Sequence, residues 1–554
     1  MKFSDYVFER LSELGVSDVF CVPGESVQGL YRSLLTSDVR SVLLSHEPSV
    51  GYAADAYSRI KGLGALLVSY GVGSLNVVNA VGQAYAESSP MIVLSGGPGT
   101  LERTKHQFLH HKVRTFQTQQ KVFEEITAMS VIIDSPNDAA LKLEQAFQTA
   151  LQFKKPVYVE IPRDICNCNI QAQPFPVNFQ DVDDPDSINE ALDEVVDLIN
   201  NAQNPVILGD VEVSRVKMQK EFVDLVEKTG LPVASTILGK SVISESHSQS
   251  LGTFSGKLSN EVAREKFEAA DLILCVGSIL SDVSLGMFSF QLDRSKVVES
   301  RIEYLQIKNH IYPKVSLRHF LKGVANHPKL KKRQFKNEHL NLDFKLPKYG
   351  DEKVSINNLT QILNHFINRD KSPAYRVVGD VGDCLFVGQS LHINNFASFL
   401  SPAYYLSMGF AVPGGIGAQI ADPTKRPLIL VGDGAFQMTG LEIISAVRLN
   451  LNPIIILFNN GIYATLDKVE DASIENSYDI GKYDYYKMAS IFGAVGYQVN
   501  HAHELQTALK EAETSNKDKA ILIQINLDPT DTSDVLKKFG TLMGKSNKEA
   551  SKES

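Results

Sequence analysis

The stretch PLILVGDGAFQMTGLEIISAVRLNLNPIIILFNN, residues 427–460, decides the fold. Pro427–Val431 is an apolar run of strand length, the pattern of a strand buried on both faces. Gly432, Asp433 and Gly434 follow. The next segment places Leu441, Ile444 and Val447 at i, i+3 spacing and predicts one amphipathic helix. A second apolar strand, Ile454–Phe458, then leads into Asn459 and Asn460. Glycines let a backbone approach phosphate oxygens, and a helix start offers free N–H groups and the positive end of its dipole. Both ends of the segment fall where open α/β sheets bind ligands, at the carboxyl ends of strands. GDG alone is commonly a turn; the strand–helix–strand frame with the Asn pair marks it as a site. Two other phosphate-like patterns fail. Gly239-Lys240-Ser241 has Ala234 where a P-loop needs glycine, and Gly71-Val72-Gly73 has Asn76 where a third glycine belongs.

Working outward, the whole chain reads as α/β, with three open parallel-sheet domains. The first covers 1–170 and alternates strand-like runs (Val19–Val22, Ala65–Val68, Met91–Leu94, Val157–Ile161) with amphipathic stretches, the mark of βαβ units. A linker from Asn167 to Ser187 carries Gln173-Pro174-Phe175-Pro176 and an acidic run. The second domain, 188–343, has strand candidates Pro205–Leu208, Pro232–Ala234 and Leu272–Val276. A charged stretch, Lys331–Lys353, leads to the third, 354–540, with Val377–Gly379, Leu428–Val431, Ile454–Phe458 and Ile521–Ile525. Residues 541–554 are polar and are expected to form a flexible tail.

The 554 residues exceed the ~250–300 that one core supports, which agrees with several domains. A net charge of −9 argues against a nucleic-acid surface or a polybasic membrane surface. The start, MKFSDYVFERLSELGV, has no basic segment followed by an apolar one, so no signal peptide is read. No apolar run reaches the ~18 residues of a membrane span. Five scattered cysteines fit a reduced, cytoplasmic protein. Cys166-Asn167-Cys168 has no second pair or nearby His and is not read as a metal site.

Several segments together resemble the thiamine-diphosphate (ThDP)-dependent 2-keto acid decarboxylases, especially the indolepyruvate/phenylpyruvate branch, over nearly the whole chain. They are VPGES (22–26), SHEPSVGYAADAYSR (45–59), AYAESSP (84–90), LHH (109–111), PVYVEIPRD (156–164), GDCLF (382–386), SMGFAVPGGIGAQ (407–419) and the GDG…NN frame. The resemblance implies a pyrimidine-binding, a central and a diphosphate-binding domain, in the order of the three blocks. It implies that Asp433, the side chain of Asn460 and the backbone carbonyl of Ile462 hold Mg²⁺, that Gly432 and Gly434 cradle the diphosphate, and that Asp383 lies near it. Glu47 matches the glutamate that shares a proton with N1′ of the aminopyrimidine; alone it reads as a helix-start residue. Met408 matches the apolar wedge that keeps the cofactor bent, and the Leu406 carbonyl matches the acceptor for the 4′-amino group. His110 and His111 match the decarboxylases' His pair, groups suited to proton relay near neutral pH. The family also implies a 2-keto acid substrate, a homodimer at minimum and a homotetramer as the expected assembly.

Two positions depart from the family pattern. Glu25 stands where these enzymes carry an aspartate, and the extra methylene shifts proton-transfer geometry. Leu466 stands where the pyruvate enzymes carry a glutamate a few residues after the Asn pair. It cannot bond a carboxylate, but it opens an apolar wall for a large side chain. Asp467 or Asp282 are candidate substitutes for the missing acid. The acid- and Tyr-rich stretch Asp467–Tyr486 is expected to act as a lid. The reading is therefore non-oxidative decarboxylation of aromatic or large 2-keto acids such as phenylpyruvate or indolepyruvate. Its rivals are carboligation to 2-hydroxyketones, as in acetolactate-synthase chemistry, and a ThDP-binding chain without catalysis.

Overall fold

The computed structural model describes residues 1–105, 108–171, 183–338, 343–369, 374–469 and 478–553, with side chains to 545. It contains three sheets. The first comprises β1 (Asp18–Val22), β2 (Arg40–Leu43), β3 (Gly64–Val68), β4 (Met91–Gly97), β5 (Met129–Ile132) and β6 (Val157–Pro162), in the order β2-β1-β3-β4-β6-β5, all parallel. The second comprises β7 (Pro205–Gly209), β8 (Val233–Ser235), β9 (Ser250–Thr253), β10 (Leu272–Val276), β11 (Val297–Ser300), β12 (Leu305–Ile307) and β13 (His310–Tyr312). Its order is β13-β12-β11-β10-β7-β8-β9. The third comprises β14 (Tyr375–Gly379), β15 (Phe399–Leu400), β16 (Arg426–Gly432), β17 (Ile454–Asn459), β18 (Val495–Val499) and β19 (Ile521–Asn526), ordered β15-β14-β16-β17-β19-β18 and all parallel.

The α/β class with three sheets matches the expectation, with one correction. The central sheet is mixed, because β11 pairs β12 and β12 pairs β13 antiparallel. The connections there are short turns, which permit only a hairpin, since a parallel crossover needs a dozen or more residues. The central strands of the third sheet are mostly apolar, and β17 is fully buried, as expected for a sheet covered on both faces.

By contact the chain forms two compact units. One contains Met1–Gln180 with Val412–Thr424 and Thr439–Leu449; the other contains Asp181–Ala411, Lys425–Met438 and Asn450–Ser554. In the first unit, the helix Glu47–Lys61 is buried against the sheet. It carries Asp55 and Arg59, which bridges Asp55 and Glu87 with side chains at most 2% exposed. Gly417 sits where a Cβ would lie 2.0 Å from the Ala53 carbonyl oxygen, so no larger residue fits that approach.

Two local expectations change. The helix after the GDG segment is not continuous: Asp433–Thr439 is followed by a 3-10 turn, Gly440–Glu442, and then by Ile443–Arg448. Thr439-Gly440 is a weak helix-forming pair. Leu441 and Ile444 are 55% and 37% exposed and are not core. The polar stretch from 541 is not a frayed tail at its start but continues a helix, Asp534–Glu553. Leu542 and Met543 pack against a small cluster of Leu258, Phe386, Leu536 and Phe539, which anchors it. Most of the linker at 167–187 and the middle of the expected lid (470–477) lie outside the described residues.

Candidate active site

In the first unit the expected catalytic residues all lie in connections that leave the carboxyl ends of strands of one parallel sheet. Glu25 opens a 3-10 turn after β1, Glu47 starts a helix after β2, and His110 and His111 lie in the connection after β4. The structure joins Glu25 to His110: Glu25 Oε1 and His110 Nε2 are hydrogen-bonded, with both side chains more than half exposed. The longer Glu25 therefore reaches the imidazole. His110 and His111 pack edge to face, with ring centroids 4.7 Å apart. His111 has a left-handed backbone (φ 66°), which fixes the sharp turn of the pair.

Glu47 does begin a helix, with Pro48 behind it at the first turn, where a missing N–H costs nothing. The approach to it is pinned by buried Glu442, which accepts the Ser45 N–H at 3.0 Å and the Ser445 hydroxyl at 2.7 Å. Asn76 Nδ2 donates to Glu47 Oε2 at 2.8 Å. The turn after β3 carries Gly71, whose missing Cβ would lie 2.4 Å from the His111 carbonyl oxygen. The Gly71 N–H donates to Gln119 Oε1, and Gln119 in turn donates to Glu160. Sequence reading missed Asn76 and Gln119; Asn76 entered it only as the residue that spoils a glycine pattern.

The second unit holds a cavity of about 290 Å³ at the carboxyl ends of β14, β15, β16 and β17. Its lining includes Asp383, Leu406, Met408, Gly432, Asp433, Gly434, Asn460, Ile462 and Leu466. The structure thus gathers every expected cofactor residue. Asp282 is not among the lining residues. Its Oδ1 accepts the Val283 N–H of its own turn, and Val283 lines the cavity.

Asp433 begins its helix directly from β16. Its two carboxylate oxygens accept the N–H groups of Gly434 and Gly461, at 2.9 and 2.6 Å. Burial pushes its carboxyl up to about 6, against the opposing pull of those backbone donors. Asn460 Oδ1 accepts the Ile462 N–H, which places the amide oxygen and the Ile462 carbonyl in one tight turn. The other Asn of the pair is an anchor: Asn459 Nδ2 donates to Asn526 on neighbouring β19. Leu406 has φ 59°, an uncommon conformation for a bulky residue. A residue not anticipated holds this turn. Fully buried Asp380 accepts the N–H groups of Gly409 and Ala411 at 3.1 and 2.8 Å, and burial raises its carboxyl to about 6.

These residues fit a diphosphate with a divalent cation. The described lining has two acids and no basic side chain, so a polyanion needs a cation to be held there. Asp383 Oδ1 is buried and has no hydrogen-bond partner, although Oδ2 accepts the Ser533 N–H. A Cβ on Gly432 would meet no protein atom within 4 Å, while one on Gly434 would lie 2.5 Å from the Tyr463 ring. Gly432 leaves an open cradle; Gly434 makes room for Tyr463.

Comparison with known proteins identifies three matching domains. Residues 1–121 match the thiamine pyrophosphate enzyme N-terminal TPP binding domain, 192–327 the central domain and 380–525 the C-terminal TPP binding domain. The chain is 32% identical to an indole-3-pyruvate decarboxylase of Azospirillum brasilense, covering 97% of this chain and 98% of that protein. It is 29% identical to pyruvate decarboxylase 1 of Pisum sativum, covering 98% and 93%. It is also 29% identical to a pyruvate decarboxylase of Hanseniaspora uvarum, covering 89% of each. The chain belongs to the thiamine-diphosphate-dependent 2-keto acid decarboxylases, a family of carbon–carbon lyases whose cofactor is thiamine diphosphate.

Proposed function

We propose that this enzyme converts aromatic or otherwise large 2-keto acids, with phenylpyruvate and indolepyruvate as first candidates, to the aldehyde and CO₂. The observation that carries the decarboxylase reading is the Glu25–His110 hydrogen bond. An acid–base pair of this kind can deliver a proton after CO₂ departs, which completes an aldehyde. The choice of large substrates is supported by the cavity wall, where Leu466, Phe386, Met408 and Phe539 are apolar.

When bound, ThDP would supply a nucleophilic carbanion and an electron sink for the loss of CO₂. The chain's own residues do the rest. Asp433, Asn460 and the Ile462 carbonyl would hold Mg²⁺, and Gly432, Gly434 and Asp383 would border the diphosphate. Leu406 and Met408, which line the cavity, would hold the cofactor's rings in place. Glu47 would hold a proton for the cofactor's N1′, and Glu25, His110 and His111 would move protons at the substrate. Working domain limits are 1–170, 188–343 and 354–540.

The active assembly is a homodimer or a tetramer of dimeric units, each site drawing on the first domain of one copy and the third of another. The exposed apolar Val72, Leu441 and Ile444 support such pairing. No helix among the described residues is long and apolar enough to cross a membrane, and the proposed location is the cytoplasm.

A panel from pyruvate to indolepyruvate, with and without an added acceptor aldehyde, tests the proposal. Free aldehyde from the aromatic acids supports it. Hydroxyketone in place of aldehyde moves the assignment to carboligation.

A further inference from the structure

We propose that Asn76 is a positioning residue for Glu47, fixing which carboxylate oxygen is presented to the cofactor. The inference rests on the reading of Glu47 as the partner of N1′. A glutamate at a helix start, with its carboxylate on an exposed surface, has several rotamers, and only an orientation that is already held can share a proton on every turnover. Here Asn76 Nδ2 donates to Oε2 at 2.8 Å and lies 3.3 Å from His46 Nε2. Oε1 makes no hydrogen bond to a described residue and lies beside Gly73, 3.7 Å from where a Cβ would stand. One oxygen is thus tied and the other is free to meet the pyrimidine.

Asn76 can hold Glu47 because the segment beneath it is rigid. Asn76 ends the short helix Val72–Asn76. That helix is fastened by the buried Ser74 hydroxyl, which donates to the Ser69 carbonyl at 2.9 Å and lies 2.6 Å from the Ser95 hydroxyl on β4. At its other end the Gly71 N–H is held by Gln119 Oε1 at 2.8 Å, and Gly71 presses on His111. One pinned segment of six residues therefore touches both the His pair and Glu47. Asn76 itself is exposed, so its side chain contributes little to folding, and its removal tests orientation rather than stability.

The experiment compares wild type, Asn76→Ala, Asn76→Asp, Glu47→Gln and the double variant Glu47→Gln/Asn76→Ala as full-length protein. The readouts are the ThDP dissociation constant by calorimetry with Mg²⁺ present, the near-ultraviolet circular dichroism of the bound aminopyrimidine, and kcat and KM for phenylpyruvate. Melting temperatures monitor folding. Asn76→Ala is expected to weaken ThDP binding by about three- to tenfold, the worth of one hydrogen bond. It should alter the cofactor's dichroism and lower kcat with an unchanged KM for the keto acid. Asn76→Asp keeps the size, removes the donor, and should be at least as impaired. In the Glu47→Gln background, Asn76→Ala should change nothing further, because the pair acts as a unit. Additive losses in the double variant overturn the proposal. So does a Glu47→Gln variant that shifts the dichroism while Asn76→Ala leaves it unchanged. If Glu47→Gln itself leaves dichroism and affinity unchanged, the underlying reading of Glu47 fails, and the proposal fails with it.

Discussion

Gly432 and Gly434 stand two residues apart in the same motif, yet the structure assigns them different tasks, which a pair of alanine substitutions separates. A Cβ on Gly432 meets no protein atom within 4 Å, and its backbone lies outside the left-handed region. Gly432→Ala should therefore leave the cofactor-free fold intact or stabilise it by about 0.4–1 kcal/mol through a less flexible unfolded chain. Only a ligand in the cradle feels the new methyl. At a ThDP concentration 100 times Kd, binding adds about 2.7 kcal/mol to wild-type stability. A hundredfold loss of affinity cuts that to about 0.4 kcal/mol at the same concentration. Gly434→Ala should behave in the opposite way. Its Cβ falls 2.5 Å from Tyr463 Cε1, and the forced shift should cost about 1–3 kcal/mol before any ligand is added. The assay is thermal unfolding of both variants with and without saturating ThDP and Mg²⁺. An unchanged apo melting point with a lost ligand-induced shift is expected for Gly432→Ala, and a lowered apo melting point for Gly434→Ala. A Gly432→Ala protein that keeps the full ThDP shift would refute the placement of the diphosphate at this strand end.

Four further predictions concern separate parts of the molecule. Burial raises the Asp433 carboxyl to about 6, so the cofactor-free protein keeps that proton until about pH 6 and must release it to bind a cation. Calorimetric ThDP/Mg²⁺ affinity should therefore fall as pH drops below about 6, by about tenfold per unit. Glu25→Gln, which removes the acid–base partner of exposed His110, should lower kcat by about 10²–10⁴-fold while the calorimetric Kd for ThDP and the melting point hold. Leu466→Glu should shift kcat/KM from phenylpyruvate towards pyruvate by about tenfold or more, since it places a carboxylate on an apolar wall. Arg59→Met should cost about 3–5 kcal/mol in denaturant unfolding, because it leaves Asp55 and Glu87 buried without their shared cation.

The GDG and Asn-pair frame was legible because its constraints are local: a strand, a turn, a helix start and a strand within 34 residues. The long apolar strands were legible for a similar reason. The edge strands were not. Edge strand β2 carries Arg40 and Ser41, and edge strand β13 and its neighbour β12 are three residues each, too short for a periodic pattern. Nothing local distinguishes Glu47 from any other helix-start acid, and the His pair stands in an irregular loop, so both were reached through the resemblance. Asp380 was invisible because its partners are backbone N–H groups about 30 residues away, brought to it by the pairing of β14 with β15. Asn76 was hidden likewise: its amide meets a glutamate 29 residues earlier. Leu441 and Ile444 misled the helix reading in an informative way. Their spacing is that of a buried stripe, but both side chains are exposed.

The most direct test of the central claim is reconstitution of cofactor-free protein with ThDP and Mg²⁺ followed by simultaneous measurement of CO₂ and aldehyde from phenylpyruvate. No turnover is expected without ThDP, and equal amounts of CO₂ and phenylacetaldehyde are expected with it. Tight ThDP binding without CO₂ from any 2-keto acid, small or aromatic, would contradict that claim.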